Sequence, residues 1–199
     1  MKIYDISQEV FNCRVYPGDP APKKKELCSM EKGDVYNLTS FCMCAHNGTH
    51  IDAPRHFIKD GKAVDALSLE FFVGMAYVAE HCGSVTGKDA LKIIEKAKTQ
   101  NAEAAKRILI KGDIEVSFEA AKVFASSNLL LLGNELQTIG PQNSPMAVHL
   151  ELLSAGVVLL EGICLATVSE GVYFLNAAPL NLADSDGSPC RAILINDEE

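Results

Sequence analysis

The sequence predicts an α/β domain in which a mixed or largely parallel sheet is flanked by helices. From residue 107 onward, apolar segments of strand length alternate with segments that have helical spacing. Two of these segments, Leu129–Leu132 and Val157–Leu160, are apolar at every position, as strands buried on both faces are. The first half of the chain is richer in strand-like segments, which favours a partly closed, barrel-like sheet.

The first elements are predicted mainly by β-branched residues and turn formers. Lys2–Ile6 is predicted to be the first strand, and Val15–Pro20, which is dense in Pro, Gly and Asp, a loop. The basic run Lys23–Lys25 follows two prolines and is interpreted as part of a solvated loop. Val35–Ala45 is rich in apolar and β-branched residues and is predicted to be a strand.

The later elements are predicted by helix caps and by apolar runs. Thr86 and Ser117 are expected to cap two helices, and Pro145 to occupy the first position of a third that Gly156 ends. The other predicted strands, in chain order, are Phe72–Glu80, Arg107–Lys111, Leu129–Leu132, Val157–Leu160, Val172–Asn176 and Arg191–Ile195.

Length and composition limit the classes of function. The 199 residues, 48% of them hydrophobic, suit a single domain over residues 1–199. The net charge of −8 argues against a nucleic-acid partner, which would require a concentrated basic patch. Neither a signal peptide nor a membrane span is expected. The seven cysteines are scattered and odd in number, which suggests reduced thiols and a cytoplasmic protein.

The residues with chemical potential are concentrated between positions 46 and 56. His46, His50, Asp52 and His56 all lie in this stretch, which holds three of the five histidines. Imidazole and carboxylate ligands together suit zinc, manganese or ferrous iron. Their even spacing would place them on one face of an extended chain. We therefore interpret the segment as a metal site.

A straight strand could not bring these side chains to one ion. At about 3.3 Å per residue, His46 and His50 would lie roughly 13 Å apart, whereas ligands sit about 2 Å from their metal. The chain must therefore bend, and Gly48 and Pro54 stand at suitable positions.

The segment has two other interpretations. It could be a polar surface loop, but so many ligand-type residues in eleven positions argue against that. It could also be a structural metal site, although closed zinc sites usually contain cysteine. Cys42 and Cys44 share the parity of His46 and could contribute, but they are better explained as half-buried strand residues.

The segment resembles the signature of the cyclase family of metal-dependent hydrolases, which includes bacterial kynurenine formamidases and isatin hydrolases. The signature is His-x-Gly-Thr-His-x-Asp-x-Pro-x-His, and every fixed position is present in residues 46–56. The similarity extends to an early Pro-Gly-Asp loop at residues 17–19, to a late pattern from His149 to Glu161 and Gly162, and to Ser-Pro-x-Arg-Ala at residues 188–192.

The resemblance implies an α/β fold of the swivelling-domain type and a divalent metal centre of one or two ions, zinc or manganese. By position, His46, His50 and Asp52 would bind the first ion. Asp52 and Glu161 would bridge to a second ion, which His149 would complete. The remaining implied roles are a general acid/base at His56 and substrate stacking at Tyr16.

Glu161 is also a candidate without the resemblance. It ends an apolar strand, and α/β sheets build their sites at strand ends. A carboxylate between Leu160 and Gly162 is costly to bury unless a positive charge, such as a metal ion, lies beside it.

The resulting hypothesis is hydrolysis of a small-molecule amide, with N-formylkynurenine giving kynurenine and formate. A metal would lower the pKa of a bound water so that hydroxide attacks the carbonyl, and His56 would protonate the leaving nitrogen. Alternatives are hydrolysis of a cyclic amide or lactone, as in isatin opening, a non-catalytic metal-binding or ligand-binding protein, and a structural domain without metal. The resemblance favours a homo-oligomer, a dimer or tetramer.

Three positions depart from the formamidase pattern and bear on the substrate. Tyr16 stands where formamidases usually have Trp, and Leu150 where a second His often follows the first. The turn at residues 132–135 lacks the Asp expected there. The metal-binding pattern is unaffected by these changes.

Overall fold

The computed structural model of the chain describes residues 1–196; residues 197–199, which the predicted domain includes, lie outside this range. The three α-helices are α1 Gly87–Gln100, α2 Phe118–Ala125 and α3 Met146–Ser154. The strands are β1 Lys2–Asp5, β2 Lys23–Cys28, β3 Leu38–Cys42, β4 His50–Asp52, β5 Val73–Glu80, β6 Gly83–Val85, β7 Arg107–Lys111, β8 Ile114–Val116, β9 Leu131–Asn134, β10 Val158–Glu161, β11 Gly171–Asn176, β12 Gly187–Pro189 and β13 Ile193–Asn196.

A nine-stranded mixed sheet forms the framework, in the order β1-β13-β11-β5-β7-β9-β10-β4-β12. The four central strands, β5, β7, β9 and β10, run parallel, and the pairs on either side of them are antiparallel. The sheet curls into a half-barrel. The predicted mixed, partly barrel-like α/β architecture is therefore confirmed.

Both faces of the central strands are buried. Leu132 and Leu159 pack into the core beneath the helices, whereas Leu131, Val158 and Leu160 pack into a second core on the opposite face. Side chains alternate between faces along a strand, so a strand covered on both sides must be apolar throughout. This explains the uniformly apolar runs in the sequence.

Helix caps agree closely with the sequence. The side chain of Thr86 accepts a hydrogen bond from the backbone of Asp89 and forms a capping box, and Ser117 caps α2 in the same way. At the third helix the prediction was wrong by one position, because Pro145 is the cap and Met146 the first helical residue. Gly156 follows this helix with φ of 81°, as a C-terminal glycine does.

The structure corrects four predicted segments. Lys23–Lys25 are not in a loop: they belong to β2, which pairs with β3 as a separate two-stranded hairpin. Their side chains are exposed, so high charge is compatible with an outlying strand. The predicted strand Val35–Ala45 is shorter, since only β3 pairs. Two others begin two residues later than predicted: Leu129–Leu132 as β9 and Arg191–Ile195 as β13.

Four short strands had no counterpart in the sequence prediction: β4, β6, β8 and β12. Each has three residues, too few to show a periodic pattern. The most consequential is β4, which pairs with β10 on one side and with β12 on the other. Within residues 1–196, no helix is long and apolar enough to cross a membrane.

Candidate metal centre

The chain bends sharply between His46 and His50. Gly48, midway between them, has φ of +65°, and a Cβ added there would lie 2.9 Å from the Cβ of Cys13. The preceding turn is closed by Asn47, whose side-chain oxygen accepts a hydrogen bond from the backbone of Cys44 at 2.8 Å. The centroids of the His46 and His50 rings consequently lie 5.2 Å apart. The bend that the ligand spacing required is present.

Asp52 is the centre of the cluster. Its Oδ1 lies 2.8 Å from Nδ1 of His46 and 3.4 Å from Nε2 of His50. Its Oδ2 lies 3.6 Å from Nε2 of His149. Asp52 is 1% exposed, because it is the last residue of β4, a strand that is buried in the sheet. One buried carboxylate therefore faces three imidazoles.

Glu161 completes a second group around the same carboxylate. It ends β10 directly opposite His50 in the pairing with β4, which explains why residues far apart in sequence meet here. Its Oε1 lies 3.2 Å from Nε2 of His149 and accepts a hydrogen bond from the backbone of Ile139 at 2.7 Å. The predicted position of Glu161 at the end of a buried strand is confirmed.

Backbone carbonyls orient two of the imidazoles. Nδ1 of His50 lies 2.9 Å from the carbonyl oxygen of Gly48, and Nδ1 of His149 lies 2.9 Å from that of Pro145. A carbonyl can only accept, so in the neutral rings Nδ1 carries the proton. Nε2 is then left with a free lone pair directed at the carboxylates. Histidines that bind metals are typically held in this way.

The donor set fits a divalent metal. One ligand atom each from His46, His50 and Asp52 lies within 4.8 Å of the others, and so does one each from Asp52, His149 and Glu161. Two buried carboxylates so close together are costly unless positive charge lies between them. Nitrogen and oxygen donors in this proportion suit zinc or manganese. Cysteine contributes to neither group.

Electrostatic interactions in the cluster shift the pKa values of its members. Burial alone would lower the pKa of His46 and of His149, but adjacent carboxylates outweigh it, raising the first to about 10 and the second to about 9. Burial alone would raise the pKa of Asp52, but hydrogen bonds from His46 and His50 hold it well below its usual value. Without metal, the imidazoles of His46 and His149 thus carry an extra proton at neutral pH.

Metal binding is therefore expected to release protons. A metal ion binds only the neutral imidazole, so His46 and His149 must give up their protons at pH 7. Because both pKa values are raised above the ordinary 6.5, protonation stabilises the metal-free fold fully below that pH. This stabilisation is lost as pH rises through about 9 to 10.

Calorimetric titration of the metal-free protein with zinc, in two buffers of different ionisation enthalpy, measures the released protons. We expect proton release at pH 7 and an affinity that rises towards pH 9. An affinity that is unchanged between pH 6.5 and pH 8.5 would contradict this explanation of the cluster.

A cavity of about 430 Å³ opens directly above the cluster. His56 lies in its wall, with its ring stacked on that of His46 at a centroid distance of 4.0 Å. Phe57 packs against the ring of His149 at 4.8 Å. Tyr16 also lines the cavity, and its hydroxyl donates a hydrogen bond to the carbonyl of Gln142. All seven site residues predicted from the sequence thus surround one cavity.

The structure adds cavity residues that sequence reasoning missed. The carboxylate of Asp186 lies 2.9 Å from Nε2 of His46 and 3.2 Å from Nδ1 of His56. Thr138 presents a buried hydroxyl without a hydrogen-bond partner. Neither residue belongs to a recognisable motif, so the sequence gives no local signal that separates either of them from a residue of a surface loop. The expectation that Cys42 and Cys44 are half-buried strand residues was wrong in part: Cys44 is half-buried but lies outside the strands and lines the cavity, whereas Cys42 is exposed on β3.

The sequence is similar to those of known proteins. Residues 4–137 match the sequence model of a protein family described as "Putative cyclase". A kynurenine formamidase from Bacillus cytotoxicus is 32% identical over 204 aligned residues, which cover 96% of this chain and 95% of that protein.

Two solved structures have the same fold. One, described as a potential metal-dependent hydrolase with cyclase activity, superposes with a TM-score of 0.81 at 27% identity and covers 100% of this chain and 99% of its own. Isatin hydrolase A from Labrenzia aggregata superposes with a TM-score of 0.84 at 21% identity, covering 99% and 94%, and this likeness concerns the fold alone.

Proposed function

Because this chain belongs to the cyclase family matched by residues 4–137, we propose that it is a metal-dependent hydrolase of carbon–nitrogen bonds other than peptide bonds. Its proposed substrate is an aryl formamide, N-formylkynurenine, which water converts to kynurenine and formate. The observation that carries the proposal is the buried carboxylate of Asp52, which faces His46, His50 and His149 at the floor of a cavity.

The proposed ligands divide into two groups that share Asp52. His46 and His50 would hold the first ion with it, and His149 and Glu161 the second, each ion being zinc or manganese. A divalent metal, when bound, acts as a Lewis acid on carbonyl and water oxygens. The protein's own contribution is to hold Nδ1 of His50 and of His149 on backbone carbonyls, so that Nε2 of each ring faces the carboxylates.

His56 is the proposed proton carrier. Its side chain is 28% exposed, in contrast to the buried ligands, so that it can reach both substrate and solvent. Hydrolysis of a formamide needs a proton on the departing nitrogen, since an amide anion is a poor leaving group. Stacking on His46 holds the imidazole of His56 beside the cluster, within the same cavity.

The cavity suits an aromatic substrate. Aromatic rings from Tyr16 and Phe57 lie in its wall. Its volume of about 430 Å³ is within the range of roughly 300–1,000 Å³ that small-molecule sites have. Offset or edge-on contact with these rings would orient the aryl group while the formyl carbonyl faces the carboxylate cluster.

A substrate panel tests this assignment. Purified protein loaded with zinc or manganese is incubated with N-formylkynurenine, isatin and a simple lactone. We expect kynurenine and formate from the first at a kcat/KM at least tenfold above that for the other two. If the protein opens isatin preferentially, the proposed substrate is wrong and a cyclic amide takes its place. Failure to hydrolyse any of them in the metal-loaded state would overturn the proposed activity.

We also propose that residues 1–199 form one domain of a cytoplasmic protein. Strands from the two ends of the chain, β1 and β13, pair at one edge of the same sheet. All seven cysteines are free thiols, and such a set suits a reducing compartment.

The proposed assembly is a homo-oligomer, a dimer or tetramer, formed through the β2–β3 hairpin (residues 23–42). Several large apolar side chains of this hairpin are exposed, including Val35 at 90% and Phe41 at 60%. Exposed apolar patches of this kind mark interaction sites. A second copy of the chain carries a net charge of −8, which is opposite in sign to the Lys23–Lys25 run of β2. The charge of this run therefore favours a second copy as the partner.

Introducing charge into the hairpin is expected to separate the subunits. The double variant Val35→Asp and Phe41→Asp should be monomeric by light scattering, while the wild type is dimeric or larger. Leu91→Asp on α1, where the side chain is 58% exposed, is the matched control and should leave the assembly intact. A wild type that is monomeric at micromolar concentration would contradict the proposed assembly.

A further inference from the structure

Asp186 lies where two imidazoles with different proposed tasks meet. Its Oδ2 is 2.9 Å from Nε2 of His46 and 3.2 Å from Nδ1 of His56. The two rings are stacked, with an angle of 29° between their planes, so each can direct a nitrogen at the same oxygen. A single carboxylate oxygen thus contacts a proposed metal ligand and the proposed proton carrier.

The backbone around Asp186 is firmly held. Its carbonyl accepts a hydrogen bond at 2.9 Å from Ala53, the residue that follows β4. The next residue, Gly187, begins β12 and pairs with Asp52. A Cβ added to Gly187 would lie 2.5 Å from Cε1 of His46, so this imidazole rests directly on the backbone. The carboxylate is therefore fixed relative to the cluster.

The position of this oxygen favours one nitrogen of each ring as the one that keeps its proton when a metal ion is bound. A carboxylate accepts hydrogen bonds, so it favours a proton on Nε2 of His46. Nδ1 of His46 lies 2.8 Å from Oδ1 of Asp52, where the ligand groups converge, so it is the nitrogen that would give up its proton to a bound ion. By the same reasoning, a proton on Nδ1 of His56 leaves its Nε2 free to exchange protons.

We propose that Asp186 is a positioning residue that sets the tautomers of His46 and His56 together, and so links metal affinity to proton transfer. The half of this inference that concerns His56 rests on the proposed hydrolase function. The half that concerns His46 depends only on metal binding. A competing role is direct ligation, because atoms of Asp186, His46 and His56 also lie within 4.8 Å of one another.

Three variants separate these roles. Asp186→Ala removes the acceptor, and Asp186→Asn keeps a weaker, neutral one. Asp184→Asn makes the same chemical change in the same loop, at an exposed residue whose φ of 57° asparagine tolerates well. Thermal unfolding of each variant shows that the fold is retained.

The readouts are zinc affinity by competition with a chelator, kcat and KM at saturating zinc, and the ¹⁵N shifts of the imidazoles. For Asp186→Ala we expect zinc affinity and kcat each to fall by about 10- to 100-fold, the usual effect of losing an outer partner of a ligating histidine. KM should change less than kcat. In Asp186→Ala, His56 should lose the ¹⁵N signature of a proton on Nδ1. Asp186→Asn should give values between those of Asp186→Ala and the wild type, and Asp184→Asn should match the wild type.

Two outcomes would overturn the inference. If Asp186→Ala keeps wild-type affinity, kcat and imidazole shifts, the carboxylate positions neither ring. If it binds one metal equivalent fewer at saturation, Asp186 is a ligand instead. Should the wild type bind zinc but hydrolyse no aryl formamide, the proposed function fails, while the affinity and ¹⁵N measurements still decide the role of Asp186.

Discussion

Replacing Asp52 with alanine is expected to remove the bound metal and to lower hydrolysis by about 1,000-fold or more, since Lewis-acid stabilisation is worth several kcal/mol. Asp52 is the only residue shared by both proposed ligand groups, so its loss affects each of them. The substitution also leaves His46 and His50 without the carboxylate that now balances their charge.

Metal content by elemental analysis and kcat/KM with N-formylkynurenine measure this effect. Asp60→Ala is a matched control, because Asp60 is exposed in the loop that follows the metal-binding segment. The control should retain metal and activity. If the Asp52 variant retains a full complement of tightly bound metal, the proposed ligand set is wrong.

Replacing His56 with alanine is expected to lower kcat by about 100- to 10,000-fold, the usual contribution of a positioned general acid or base. Metal content should stay at the wild-type level. The ring of His56 lies in the cavity wall, outside both Asp52-centred groups, where it stacks on His46 and meets the ring of His149 edge-on at a centroid distance of 6.4 Å. The two substitutions therefore separate metal binding from proton transfer.

His81→Ala is the matched control for this variant. It removes the one histidine of the five that lies outside the cavity, where its ring contacts the carbonyl of Ser84. The control should have wild-type kcat and metal content. An alanine variant of His56 that hydrolyses substrate at the wild-type rate would assign proton transfer to another group, and one that loses metal would place His56 among the ligands.

The parts of the fold that were predictable are those determined by local sequence. Thr86 and Ser117 mark helix starts because a cap acts within three residues of its own position. By contrast, β4 has three residues and exists because it pairs with β10, more than 100 residues away. A strand stabilised by such distant partners has no signal of its own, and β12 is a second case.

The residues of the candidate site likewise fall into those that local sequence predicted and those that it did not. His46, His50, Asp52 and His56 were identifiable because eleven consecutive residues hold all four, and the bend expected at Gly48 is present in the structure. The contact between Asp186 and His46 spans 140 positions of sequence. Its loop resembles any turn rich in Asp, Ser and Gly, so neither spacing nor composition could have predicted its place beside the cluster.

Anomalous diffraction from crystals of the metal-loaded protein tests the central claim most directly. We predict a peak within bonding distance of Asp52 that is shared with His46 and His50, and, if two ions bind, a second peak shared with His149 and Glu161. Anomalous density elsewhere on the surface, with these five side chains packed on one another and free of metal, would contradict the account.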